Sequence, residues 1–321
     1  MTNFQVYRKT LSFSVVGFLI DMIFGVGSLV GLTTAGYFIG AKVSDQNGAL
    51  IGLGIGFLVG GLVSFLISAF VTNRFKAAQI AMMNKGVDEG QLPDHTFSEG
   101  LKELHGRFGK ITAFFFITSA IKSIFRQIGR GVTNLGTAVG GEVGGSIGSA
   151  IDSGIQIVLG YLCDCCLGWI LYRKEVNAFK AGCEGAVIFF KHGKTLIRNI
   201  GRIFGMGIVS FLLIGGALFG GIYLIFLQFP GLFDQLVVEI AKISEEVPPF
   251  LTNPNNIMLF LAGIGAIVIW SMLHTLLIRP FILVGVLRNF LAAGKANIPS
   301  EADMGELEKI SPRFSKLHSK Y

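Results

Sequence analysis

The amino-acid sequence predicts an all-α fold: a polytopic integral membrane helical bundle with about six transmembrane helices. Of the 321 residues, 51% are hydrophobic and only 15% are charged, and the mean hydropathy is +0.64. Because about a quarter of the residues in soluble domains are charged, this composition argues against a soluble protein. The chain has 44 glycines but only 8 prolines, which also excludes collagen-like and proline-rich disordered chains.

Four uncharged stretches are long enough to cross a bilayer. At 1.5 Å per residue each covers roughly 30–40 Å, against a hydrocarbon core of about 30 Å. Two weaker stretches, 111–128 and 132–162, contain charged residues. They either complete six spans or form a re-entrant hairpin between four full spans. The four strong stretches are 22–41, 49–72, 203–229 and 257–278.

Lysine and arginine residues predict the orientation. The segments 73–110, 161–202 and 279–321 hold six, seven and seven of them, whereas the loop 230–256 holds only Lys242. By the positive-inside rule, both termini and the two long linkers then face the cytosol. We therefore expect an N-in, C-in protein of the cell or plasma membrane. This distribution also accounts for the net charge of +7 without nucleic-acid binding.

A short internal similarity predicts three units within a single membrane domain, residues 1–321. The sequences Phe75-Lys-Ala-Ala, Phe179-Lys-Ala-Gly and Phe290-Leu-Ala-Ala follow successive predicted hairpins. Each unit would be a transmembrane hairpin followed by an amphipathic cytosolic linker helix or tail. Chance similarity at membrane exits is the alternative. The predicted units are 11–110, 111–202 and 203–321.

Glycines at every fourth position form a glycine-zipper pattern that predicts close helix packing. Residues four apart share one helix face, and without side chains two backbones can approach closely. The sequence leaves open whether this face packs within the chain or joins copies in a homo-oligomer. The pattern comprises Gly52, Gly56 and Gly60 in one stretch, and Gly136, Gly140, Gly144 and Gly148 in another.

Glu142 and Asp152 are the candidate lining of a substrate or ion pathway. Acidic groups within a span are costly and commonly mark such pathways. On a helix, ten residues separate them by about 15 Å along the axis and about 80° around it. The alternative is that residues 131–148 never enter lipid. Trp270 and His274, near the inner end of the last strong stretch, are further pathway candidates, although an imidazole there can simply bond to a neighbouring helix.

The linker 172–202 is predicted to be an interfacial amphipathic helix. Its apolar residues recur at intervals of three and four, and its basic residues lead into the next span. The basic stripe is expected to contact anionic headgroups, at about 1 kcal/mol per residue, although a plain positive-inside flank would look the same. The apolar residues are Val176, Phe179, Cys183, Val187 and Phe190, and the basic ones are Lys191, Lys194, Arg198 and Arg202.

The sequence predicts neither an enzyme nor a cofactor or metal site. It contains no phosphate-binding Gly-x-x-x-x-Gly-Lys-[Ser/Thr] loop, no His-Glu-x-x-His and no evident nucleophile–base pair. Four cysteines, Cys163, Cys165, Cys166 and Cys183, lie close together without a histidine at ligand spacing, which disfavours zinc. In a segment that faces the cytosol they are expected to stay reduced.

Residues 161–199 resemble the cytoplasmic stretch of choline transporter-like proteins. The resemblance rests on Tyr161-Leu-Cys-Asp-Cys-Cys-Leu167, followed by Asn177-Ala-Phe179 and Leu196-Ile-Arg-Asn199. It implies facilitated movement of choline or a related amine. Aromatic faces would then surround a quaternary ammonium, with Trp169, Trp270 and Tyr223 as candidates. The chain lacks the family's large loop after the first span, and its last stretch ends in Arg279-Pro280 rather than in an acidic residue and a cysteine.

These patterns predict a transporter or permease for a small solute, with a choline-like cation as the candidate. The alternatives are a non-catalytic membrane scaffold or assembly subunit, and an oligomeric channel built from glycine-rich helices. Neutralising Glu142 or Asp152 should abolish flux in a transporter and be tolerated in a scaffold.

Overall fold

The computed structural model describes residues 1–105, 121–124, 157–243, 248 and 252–319. Within these residues the chain is helical and contains no β-strand, so the all-α prediction is confirmed for them. The chain divides into two compact units. Unit 1 comprises Met1–Ile200 with Pro280–Tyr321, and unit 2 comprises Gly201–Arg279.

Four of the described helices are long and apolar enough to cross a membrane. Each covers all or most of one of the four strong stretches, so the protein is membrane-embedded as predicted. The weaker stretches 111–128 and 132–162 lie outside the described residues, apart from 121–124 and 157–162. The four spanning helices are Asn3–Ser44, Asn47–Asp88, Gly201–Phe226 and Pro254–Ala296.

Within the spanning helices, the described α-helices are separated by π-helical turns. The element α2 contains a chain reversal between Ser44 and Asn47. Its residues before the reversal belong to the first spanning helix, and those after it belong to the second. In chain order the helices are α1 (Asn3–Ile20), α2 (Gly27–Ile67), α3 (Asn73–Asp88), α4 (Thr96–His105), α5 (Ile157–Tyr172), α6 (Ala178–Lys191), α7 (Gly193–Ser210), α8 (Gly216–Phe226), α9 (Pro230–Ile243), α10 (Pro254–Leu273), α11 (Arg279–Ala296), α12 (Glu301–Ile310) and α13 (Pro312–His318).

The first two spanning helices are about twice as long as a bilayer requires. Each has 42 residues, or about 63 Å of helix. The halves next to the chain reversal together form α2. They expose large apolar side chains such as Phe38, Val43 and Leu58, as expected in lipid. The proximal halves, α1 and α3, pack against each other and bury Phe13 and Ile80. These proximal halves and the remaining helices of unit 1, α4–α6 and α11–α13, are called the helical body below.

The predicted interfacial helix at 172–202 is divided in the structure. α5 ends at Tyr172, and Asn177 caps α6 by accepting the N–H of Phe179 at 2.9 Å. Every residue from Ala181 to Ile188 is buried, on all sides of α6. Cys183 and Val187 of the predicted apolar face therefore pack inside the helical body, whereas Phe190 is 39% exposed.

Each spanning helix contains one π-helical turn, a geometry that is rare and frequent at functional sites. The last of these precedes Arg279-Pro280, where the last apolar stretch ends in the sequence. The helix instead continues to Ala296. Proline lacks an N–H and clashes with the carbonyl four residues earlier, and a wider turn can accommodate both effects. The π-turns are Asp21–Val26, Ser68–Thr72, Phe211–Gly215 and His274–Ile278.

Candidate functional site

The predicted pathway residues Trp270 and His274 lie together at a π-turn of unit 2. Their ring centroids are 5.2 Å apart. On the neighbouring helix, Phe211 begins another π-turn and meets the Trp270 ring edge-on, at 5.0 Å and 77°. The Trp270 indole N–H donates to Ser210 Oγ at 3.4 Å. We call these four residues the aromatic cluster.

The aromatic cluster combines the groups that a cation can use inside a membrane. Aromatic faces attract cations through their ring quadrupole, and the Ser210 hydroxyl and His274 ring add polar atoms. Trp270 and His274 are only partly buried, so they retain accessible surface. Sequence reasoning identified these two from their position in the last span, but it missed Ser210 and Phe211, because only the contact between helices brings them there.

The other two candidate cage residues do not join this cluster. Tyr223 stacks on Phe219, with centroids 6.3 Å apart and an interplanar angle of 6°. It packs towards Met258, three helical turns before Trp270 on α10. Trp169 belongs to unit 1 and is fully buried. It therefore offers no face to a solute.

Trp169 belongs instead to a buried polar group that joins α5 to α6. Its indole N–H donates to Glu184 Oε2 at 2.9 Å. The guanidinium of Arg173 donates to both oxygens of the same carboxylate, at 3.1 and 3.3 Å. Glu184 is 1% exposed, so this carboxylate is compensated entirely by protein groups. The sequence signal for this role was the position of Glu184 within an apolar run, and the sequence analysis did not identify Glu184 from it.

Two further polar contacts involve the first two spanning helices, Asn3–Ser44 and Asn47–Asp88, which are called the first and second arms below. Lys76 of α3 pairs with the buried Asp164 of α5, at 2.5 Å. Thr72 donates to Asp21 Oδ1 at 2.6 Å, which connects the π-turns of the first two spanning helices. Asp21 and Thr72 thus form a polar contact between these two helices, where α1 and α3 meet α2.

The four cysteines are free thiols buried in the helical body. Burial raises the pKa of Cys165 and Cys166 above the usual range and that of Cys183 to about 12. These three thiols are therefore protonated at neutral pH, which makes them poor nucleophiles. Among the described residues, no group of His, Cys, Asp or Glu could hold a metal ion.

The glycine face of the second arm lies against the first arm. A Cβ atom built on Gly52 would lie less than 3.0 Å from the carbonyl oxygen of Gly36, and one on Gly56 would meet the carbonyl oxygen of Leu32 as closely. Gly60 packs on Leu29. The two arms are thus in backbone contact within one chain. Gly136, Gly140, Gly144 and Gly148 lie outside the described residues.

Of the predicted lipid-contacting stripe, Lys191 has a protein partner, because its ammonium group is paired with Asp303 of α12. Arg202 is exposed at the start of the third spanning helix. The side chains of Lys194 and Arg198 lie outside the described part, as do Glu142 and Asp152.

The pair of Lys191 and Asp303 helps to hold the C-terminal helices on α6. Lys180 of α6 also donates to Glu301 at 2.7 Å. His318 lies 2.5 Å from Glu308 and 3.3 Å from Glu301, while Phe314 of α13 is fully buried. The chain after Ala296 is therefore a docked part of the helical body.

We expect this docking to persist in mild acid and to weaken towards pH 2. The hydrogen bond from Lys191 lowers the pKa of Asp303 from 3.8 to about 2. Its contribution is complete above the unfolded pKa and is lost as the pH falls through about 2. Pepsin cleavage within residues 301–318 should therefore accelerate between about pH 4 and pH 2, relative to a free peptide of that sequence. Asp303→Asn should be cleaved readily at both values, and equal rates for the wild-type chain would contradict the assignment.

Comparison with protein families, with curated proteins and with solved structures gives no match. The resemblance of residues 161–199 to choline transporter-like proteins therefore rests on those residues alone. In the structure, the Tyr161–Leu167 part of the motif lies in α5, and Asn177 caps α6.

Proposed function

We propose that the protein is a membrane transporter for a small cationic solute, with choline as the compound to test. The aromatic cluster carries the proposal. In this cluster the rings of Trp270 and Phe211, the Ser210 hydroxyl and the His274 imidazole lie together at π-turns of spanning helices. Interrupted helices supply the binding sites of many transporters, because irregular backbone in a membrane is tolerated where it lines a cavity.

Two further features support the same proposal. Asp21 and Thr72 supply a polar pair at the π-turns of unit 1, and the resemblance at 161–199 points to amine substrates. Glu142 and Asp152 would supply the acidic groups that compensate a cation in the membrane. Six spans, with both termini in the cytosol of a plasma-membrane protein, remain the topology that we propose from the basic residues.

Uptake of radiolabelled choline into vesicles containing the purified protein tests the proposal. We expect Trp270→Leu to lower the uptake rate by roughly thirtyfold, since a desolvated cation–π contact is worth about 2 kcal/mol. Tyr223→Phe, on α8 and outside the aromatic cluster, is the control and should leave uptake unchanged. Glu142→Gln and Asp152→Asn should abolish uptake if they line the path.

The transport proposal fails if the wild-type protein moves neither choline nor a related amine, or if Trp270→Leu and both acid variants transport normally. A non-transporting membrane scaffold is then the better reading. A specific observation favours that alternative: the polar groups of Glu184, Asp164 and Lys191 are used within the helical body, where they join its helices together.

A further inference from the structure

The helix α9 packs at one end of the pair of antiparallel neighbours α8 and α10, called the unit 2 hairpin below. Its buried Phe233 packs with Ile257 and Met258 in the first turn of α10. The Phe233 ring also lies 5.0 Å from that of Phe226, the last residue of α8. The connection 227–229 can extend no more than about 10 Å. α9 is therefore held at the level where the two spanning helices end.

The apolar surface of α9 is wider than the part that contacts the hairpin. At 100° per residue, Leu236 and Leu232 lie about 60° and 100° to one side of Phe233. They are 37% and 59% exposed. Asp234, about 100° to the other side, is also exposed. The helix thus has one side against protein, one exposed apolar side, and a third side where Asp234 and Gln235 are exposed together with Val238.

Lipid is the occupant that fits the exposed apolar side. The residues that lead into α9 continue the apolar outer surface of the spanning helix, since Leu224 and Phe229 are 63% and 60% exposed. Leu232 and Leu236 follow directly from that surface. Helices at a membrane interface commonly bury such a side about 5–10 Å deep, between the headgroups and the acyl chains.

We infer that α9 is an interfacial helix that inserts Leu232 and Leu236 into the bilayer beside the end of the unit 2 hairpin. The proposed transport function is not required for this. Asp234 is the charged residue among the described side chains of α9, 230–238. The α9 sequence as a whole contains Asp234, Glu239 and Lys242 and so has no excess of basic residues. The inferred contact is therefore based on burial of apolar surface and does not require attraction to anionic headgroups.

Spin labels on the full chain in phosphatidylcholine vesicles test the inference. Leu232→Cys and Leu236→Cys place the label on the apolar side, and Gln235→Cys is the matched control on the third side. The native thiols are buried, and burial raises the pKa of Cys183 to about 12, so labelling at neutral pH favours the introduced thiol. The unsubstituted chain gives the background.

Labels at 232 and 236 should collide with dissolved oxygen more than with a water-soluble nickel chelate, at about 5–10 Å below the phosphates. The label at 235 should show the reverse. Adding anionic lipid should not change these depths. The inference is overturned if all three labels contact the chelate, which would place α9 in water. It is equally overturned if labels at 232 and 236 contact neither reagent, since protein would then cover that side; spin–spin broadening would identify a second copy.

Discussion

Glu184→Gln should destabilise unit 1 by about 2 kcal/mol, because a hydrogen bond to a charged group contributes about 1.5–3 kcal/mol and the variant loses the charge to which Trp169 and Arg173 donate. In the structure the carboxylate of Glu184 is 1% exposed and accepts hydrogen bonds from both Trp169 and Arg173. The variant amide can accept the indole N–H, but its own NH₂ group then faces the guanidinium. A fall in the denaturant midpoint of the protein in detergent measures the effect.

Glu175→Gln is the matched control, because the same arginine is the partner. Arg173 and Glu175 are 2.6 Å apart, but the side chain of Glu175 is 63% exposed. Exposed ion pairs contribute only about 0–1 kcal/mol, so the midpoint should barely move. Equal effects of the two changes would mean that Glu184 contributes no more than a surface charge. The identical loss of one carboxylate in both variants removes net charge as an explanation.

The four spanning helices were predictable because a long uncharged run is a local property of sequence. The surroundings of each end of such a run depend on the tertiary fold, and the local sequence does not reveal them. Residues 11–20 are as apolar as a membrane segment, yet Phe13 of that run is buried in the helical body. Hydropathy does not distinguish a side chain that lipid covers from one that protein covers. For the same reason the sequence could not show that 1–20 and 73–88 extend the arms beyond a bilayer thickness.

The apolar periodicity in α6 illustrates the same limit of sequence-based prediction. Cys183 and Val187 recur at helical spacing, which predicted one apolar face on a membrane surface. The structure also buries Glu184 and Gly185, between them in sequence. A charged residue can be buried there because Trp169 and Arg173 reach it from α5 and the following turn. Such a partner, eleven to fifteen residues away, is set by the fold and is not visible in the periodicity.

The candidate site was predictable only in part. Trp270 and His274 were identifiable because 257–278 is an otherwise uncharged run with one tryptophan and one histidine, and an ionisable group within a span is a candidate functional residue. Ser210 and Phe211 belong to another helix, and π-turns have no sequence signature comparable to hydrophobic periodicity. Trp169 and Trp270 look alike in sequence, but one is a buried structural residue and the other retains accessible surface. Only tertiary contacts separate these roles.

Gly52→Ala should force the first two arms apart and cost about 2 kcal/mol, within the range for overpacking. The added Cβ would lie less than 3.0 Å from a backbone oxygen of Gly36. Backbone cannot rotate away as a flexible side chain could, so one helix has to move. The apparent melting temperature of the protein in detergent should fall. Gly40→Ala should behave alike, because its Cβ would meet the backbone of Gly48 as closely.

Gly54→Ala and Gly61→Ala are controls on the same arm. A Cβ at either position meets nothing within 4 Å, and alanine is favoured over glycine in a helix by up to about 1 kcal/mol. These variants should therefore keep or raise the melting temperature. Equal losses at positions 52 and 54 would show that glycine matters there for backbone flexibility, and not for contact between the arms. A loss at 52 alone would locate the effect in the contact with Gly36, since the two substitutions add the same methyl group to the same helix.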